Sequence, residues 1–161
     1  MLARDLMSPN PAVVVGHDLV AHAAEIMRDR NVGFIPVVTD TTYRVLRGVI
    51  TDRDIAVRCV ALGHTGYCRV AEHMTPTVDT VRPTATINDV VAKMAGAEVR
   101  RLVVADEYHR PIGIISVSDL ALKLGPKDPI AVETLFERLA EYAEPLQLPP
   151  VPEVLGDPLE V

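Results

Sequence analysis

The chain has 161 residues with 16 basic and 22 acidic side chains, a net charge of −6. That length suits one domain of two small halves, and the acidic balance argues against nucleic-acid binding driven by phosphate neutralisation, which needs a basic face. No run of ~18 apolar residues provides a membrane-spanning helix, and Met1-Leu2-Ala3-Arg4-Asp5 lacks the basic and apolar regions of a secretory leader, so a soluble cytoplasmic protein is expected.

In chain order, Ala12 to Val15 is a short apolar run, and Leu19 to Arg30 carries Leu19, Ala23, Ile26 and Met27 at near-helical spacing. Phe34 to Val38 and Val45 to Ile50 predict strands, because β-branched residues fit a pleated, half-buried surface. The segment Asp52 to Leu62 returns to helix. The same order then recurs: strand over Thr77 to Val81, helix over Thr86 to Ala97, strands over Arg101 to Ala105 and Ile112 to Ile115, helix over Val117 to Leu124. Sequence identities keep the two copies in step. Met7-Ser8-Pro9 answers Met74-Thr75-Pro76, and Gly48-Val49-Ile50-Thr51-Asp52-Arg53-Asp54 answers Gly113-Ile114-Ile115-Ser116-Val117-Ser118-Asp119. The register slips once, because Thr39 to Gly48 is two residues longer than Asp106 to Gly113, as a surface hairpin loop allows. Each copy therefore reads β-α-β-β-α, too small to bury much core alone. The expected fold class is α/β, with repeats over 2–66 and 67–125 packed pseudo-symmetrically into one domain.

Residues 126–161 hold the charge excess, since 1–125 contain 14 basic and 14 acidic groups. Ile130 to Glu144 places Val132, Leu135, Phe136, Leu139 and Ala143 on one helical face. That face is expected to dock on its own core, on a second subunit, or on a protein partner. Prolines from Pro145 onward cannot continue the helix and predict an extended tail.

The duplicated pattern of Gly, two β-branched residues, Thr or Ser, and Asp resembles the tandem CBS-domain pair, or Bateman module, over roughly residues 2–124. Val99 to Val104 with Gly113 to Asp119 is especially similar to nucleotide-binding repeats of the γ subunits of AMP-activated protein kinase. Without an accompanying enzyme domain, the chain looks like a stand-alone bacterial member. The resemblance implies an adenosine nucleotide as regulatory ligand, no required cofactor, no catalytic step and a homodimer.

The residues themselves support two chemistries. Free amides at a helix start attract anions, the hydroxyl of Thr51 or Ser116 donates to a phosphate or ribose oxygen, and Asp54 or Asp119 accepts from ribose hydroxyls. The same spacing also fits a capping box worth ~1 kcal/mol with no ligand at all. Arg100, Arg101 and Ser118 match the kinase-subunit pattern in which a basic residue meets phosphate, with Arg101 preferred for its bidentate fork. The first copy has Gly33 and Phe34 at the positions of the arginines, leaving Arg53 as compensation. The Ser116 and Asp119 site is therefore expected to prefer phosphorylated adenosine, and the Thr51 and Asp54 site to be weaker or empty. Adenine is expected against Val13, Val14, Ile35 and Pro36 in one site and Val78, Thr80, Leu102 and Val103 in the other.

Cys59, His64, Cys68 and His73 offer the donor set of a tetrahedral zinc site. Their spacing departs from common zinc-finger patterns, so two free cysteines and two surface histidines are the expectation, with zinc or a thiol switch as the alternative and a Cys59 to Cys68 disulfide disfavoured in a reducing cytosol. No nucleophile elbow, Walker loop, dinucleotide fingerprint or zincin motif occurs. A scaffold protein with degenerate pockets is the alternative to a nucleotide sensor.

Overall fold

The computed structural model describes residues 1–124 and 129–141. The first repeat holds α1 (Ala3–Leu6), β1 (Ser8–Pro9), β2 (Val14–Val15), α2 (Val20–Arg30), β3 (Phe34–Val38) and β4 (Leu46–Thr51). A third helix begins as α3 (Asp52–Asp54), widens into a π-turn over Ile55–Cys59 and closes as a 3-10 turn over Val60–Leu62. The second repeat holds α4 (Val70–His73), β5 (Thr75–Pro76), β6 (Thr80–Val81), α5 (Ile87–Gly96), β7 (Arg101–Ala105), β8 (Pro111–Ser116) and α6 (Val117–Leu124), and α7 (Pro129–Glu141) follows. The expected helix over Ile130 to Glu144 is described as far as Glu141; its end and the Pro-rich tail lie outside the described residues.

The duplication extends to backbone dihedrals that sequence patterns do not carry. Left-handed residues occur in matched positions: Asn10 (φ 54) with Thr77 (φ 52), Asn31 (φ 52) with Glu98 (φ 54), and Arg44 (φ 55) with His109 (φ 58). Asn31 ends α2 in this conformation, where its amide reaches back to the last carbonyls of the helix. The β3–β4 and β7–β8 pairs also share an irregularity at the same place, between Val37 and Val38 and between Val104 and Ala105.

The copies exchange their opening segments. One sheet has the order β2-β3-β4-β5 and the other β1-β8-β7-β6, so β5 of the second repeat completes the first sheet and β1 of the first repeat completes the second. Ser8 pairs with Ile114, and Thr75 with Val49. The short helices follow the same exchange. Ala3 and Leu6, both 0% exposed, join Val90, Met94, Leu102, Ile115 and Leu120 in one core, whereas Val70 joins Val14, Val20, Ile35, Ile50 and Cys59 in the other. Fully burying a leucine such as Leu6 removes apolar surface worth about 1.5–3 kcal/mol. Each core therefore depends on residues from the other repeat.

This exchange explains the glycine that opens each repeated motif. A Cβ on Gly48 would collide with the backbone carbonyl of Thr75 in β5, and one on Gly113 would collide with the Met7 side chain ahead of β1. The crossing strand needs that space. Neither the opening helices nor β1 and β5 carry a periodic signal, and they are additions to the expected β-α-β-β-α order.

Candidate ligand cleft

At the end of β4, Thr51 is extended (φ −118, ψ 161) and caps α3. Its Oγ1 donates to Asp54 Oδ2 (2.7 Å) and accepts from the Asp54 amide (3.0 Å), while the Thr51 amide donates to the same carboxylate oxygen (3.0 Å). Ser116 and Asp119 repeat this geometry, with the Ser116 amide 2.9 Å from Asp119 Oδ2 and the Asp119 amide 3.1 Å from Ser116 Oγ. A third such box, Thr86 with Asp89, opens α5 on an exposed surface. Capping is thus real at all three places. What separates them is the surroundings of each box.

The other carboxylate oxygen differs between the two repeated motifs. Asp54 Oδ1 pairs with the Arg58 guanidinium at 3.4 Å, and Asp119 Oδ1 accepts from Ser8 Oγ at 3.4 Å. Arg58 stands one helical turn beyond Asp54, a spacing at which side chains meet. Ser8 arrives with the exchanged strand, and nothing local in the sequence announces it.

Thr51, Arg53 and Asp54 line a cleft of about 460 Å³ between the repeats, together with Phe34 and Val49. Its opposite wall comes from the second repeat: Thr77, Val78 and the run Glu98-Val99-Arg100-Arg101-Leu102. Two of its carboxylates have partners, Asp54 with Arg58 and Asp79 with Lys93 (3.0 Å). Among the described residues Arg53, Arg100 and Arg101 enter no ion pair, and Glu98 is the remaining acid of the lining. The cleft therefore combines an apolar floor with an excess of unpaired guanidinium, an arrangement suited to a ligand with an anionic end.

A second cleft of about 640 Å³ is lined by Arg100, Arg101, Ser116, Ser118 and, from α7, Phe136 and Ala140. Arg101 lies directly opposite Ser116 across the β7–β8 pair. The arginines thus border both clefts, which corrects the expectation that the Thr51 side lacks their charge. Asp119 is turned to Ser8 and does not line the second cleft. The adenine-slot residues need a further correction. Val14, Ile35 and Pro36 are sealed in the core, and Val13 borders a separate groove with Ile26 and Arg30. Val78 and Leu102 face the Thr51 cleft, whereas Thr80 pairs with Val103, itself buried, inside the sheet. Only Val78 and Leu102 of this set border the Thr51 cleft, because its wall comes from the packing of the second repeat against the first.

Three members of the Cys/His set converge away from this cleft. Cys59, Cys68 and His73 bring their donor atoms within 4.8 Å of one another. The Cys59 and Cys68 sulfurs are 3.4 Å apart, and the His64 ring lies 5.5 Å from that of His73. Burial, and after it the neighbouring Cys68, pushes the Cys59 thiol up from its ordinary value.

Among the described residues no helix is long and apolar enough to cross a membrane. The profile of the CBS domain matches residues 3–60 and again 70–125. The CBS domain-containing protein YhcV of Bacillus subtilis is 36% identical over 119 residues, covering 74% of this chain and 82% of its own. Hypoxic response protein 1 of Mycobacterium tuberculosis is 32% identical over 123 residues, covering 76% and 84%. Among solved structures, Hypoxic Response Protein I with two coordinated zinc ions superposes with a TM-score of 0.68 at 31% identity, over 76% of this chain and 98% of that one. The CBS domain pair of MJ0100 in complex with methylthioadenosine and S-adenosylmethionine gives 0.69 at 27% identity over 78% and 100%. CBSX2 in complex with AMP gives 0.64 at 26% over 76% and 94%. With two matched repeats, two exchanged sheets and relatives above 30% identity across most of their length, the chain belongs to the CBS domain family.

Proposed function

We propose that the chain is a non-catalytic regulatory module that binds an adenosine nucleotide in the cleft joining Thr51 and Asp54 of the first repeat to Val78, Arg100 and Arg101 of the second. The observation that carries this reading is the convergence, from opposite repeats, of a hydroxyl and carboxylate pair and two guanidinium groups that enter no ion pair among the described residues, with apolar side chains beside them. Arg100 and Arg101 receive the phosphate, Asp54 receives the ribose hydroxyls, and the half-buried Val78 and Phe34 receive the base. The adenosine compounds bound by the CBS pairs of MJ0100 and CBSX2 support the ligand class. A ligand touching both repeats changes their relative packing to the extent that it binds one arrangement better than the other, and a partner or the second subunit of a homodimer reads the change.

Isothermal calorimetry with AMP tests this. Charge-assisted hydrogen bonds contribute about 1.5–3 kcal/mol each, so Arg101→Ala and Asp54→Ala are each expected to weaken binding roughly 10- to 100-fold. Asp89→Ala supplies the control, because it removes the same kind of helix cap away from the cleft. Equal effects of Asp54→Ala and Asp89→Ala, or unchanged affinity in Arg101→Ala, would sink the assignment.

Two observations favour a scaffold reading: the cap boxes are satisfied internally, and α7 places Phe136 and Ala140 in the lining of the Ser116 cleft. Deleting residues 126–161 separates the two readings. A sensor keeps its AMP affinity, whereas a scaffold loses its dimer or partner and has no AMP affinity to keep.

A further inference from the structure

We infer that Cys59, Cys68 and His73 form a zinc site that ties the link between the repeats to the first core. The donor set comes from three separate places in the chain: the end of the π-turn, the loop before α4, and the last residue of α4. Convergence of this kind is not a by-product of one helix face. Cys59 is 1% exposed and His73 is 5% exposed. Among the described residues His73 Nε2 has no hydrogen-bond partner, although buried polar nitrogens almost always have one. A buried, unsatisfied imidazole nitrogen beside two thiols is the donor set that a tetrahedral thiophilic cation completes.

The two sulfurs are unbonded and near the spacing that a shared metal requires. Two thiolates on one tetrahedral zinc stand about 3.8 Å apart, given a Zn–S bond of about 2.3 Å, whereas disulfide sulfurs stand about 2.05 Å apart. The observed separation is 3.4 Å. Both thiols donate to the Thr65 carbonyl, at 3.5 and 2.8 Å, so loading zinc replaces two thiol protons that now rest on one backbone oxygen. The fourth place is open to water or to His64, whose amide is bonded to the Cys59 carbonyl (3.0 Å) and whose exposed ring lies 5.5 Å from that of His73.

The site also touches the ligand cleft through one side chain. Arg58 precedes Cys59, pairs with Asp54, and donates to the carbonyl oxygens of His73 (3.3 Å) and Met74 (3.4 Å). The metal ligands and the cleft carboxylate therefore share a partner, but the zinc site stands whether or not the cleft takes a nucleotide.

The test is metal content and affinity of the untagged full chain in reducing buffer, read by elemental analysis and by competition with a chromophoric zinc indicator. One zinc per chain is expected, and cobalt substitution should produce thiolate-to-metal charge-transfer absorption. Cys59→Ser and Cys68→Ser should each lower affinity by more than about 100-fold, beyond the cost of an outer-shell change, with far-UV circular dichroism reporting whether they remain folded. If the serine variants unfold, the cobalt spectrum of the unmodified chain decides alone. A chain that takes up no zinc at micromolar free metal, that lacks thiolate absorption with cobalt, or that emerges from reducing buffer as a Cys59–Cys68 disulfide overturns the proposal.

Discussion

At the scale of single residues, the repeated motif serves two structural tasks before any ligand arrives. Its glycine admits the exchanged strand, and its hydroxyl and carboxylate cap a helix. The two glycines should not tolerate substitution equally. Gly48→Ala drives a methyl group into the rigid Thr75 backbone, while Gly113→Ala meets the flexible end of Met7. Overpacking of this kind costs about 1–3 kcal/mol, so urea unfolding should place Gly48→Ala below Gly113→Ala in stability; the reverse order would contradict the crossing geometry. Of the cleft lining, Thr51 and Asp54 are marked by the duplicated motif, whereas its second copy supplies Ser116 to a separate cleft and turns Asp119 to Ser8. The destination of Arg100 and Arg101 is not legible in the sequence, because a cleft between repeats is set by their packing and no local pattern encodes it.

At the scale of elements, β3, β7 and α6 follow their apolar patterns to the residue. The opening segments do not. Two-residue strands such as β1 and β5 have no period to detect, and Ser8 finds its partner in Ile114, far along the chain. Their importance is testable. Leu6 belongs by sequence to the first repeat but is buried in the core of the second, so Leu6→Ala should cost about 2–5 kcal/mol and expose the amides of β7 and β8 in hydrogen exchange before those of β3. Protection lost first in β3 would refute the exchange. The β7–β8 turn adds a pH dependence. Burial opposes the charge of Asp106, but the amides of Arg110 and Tyr108 and the Arg110 guanidinium outweigh it and hold the carboxyl below the usual range. A carboxyl depressed by folding contributes stability above its unfolded value, near pH 3.9, and loses it as pH falls through the folded value. Asp106→Asn should therefore flatten the acid limb of stability, and an unchanged limb would remove this turn from the account.

At the scale of the whole molecule, the duplication yields two halves whose sheets and cores are completed by each other, and the space between them collects a cap box, an apolar wall and guanidinium groups. Under the proposed reading such a molecule would sense by changing how its halves meet; α7 packs Val132 on the second core and sets Phe136 beside the Ser116 cleft. The most direct measurement is thermal unfolding of the intact chain with AMP, ADP, ATP, NAD or S-adenosylmethionine. Binding at about 100 times the dissociation constant stabilises by about 2.7 kcal/mol, a midpoint rise of roughly 5 to 10 °C for a chain this size. A selective rise with one adenosine compound, lost in Arg101→Ala, is the predicted result. An unchanged midpoint with every compound would contradict it and leave the paired aspartates as helix caps.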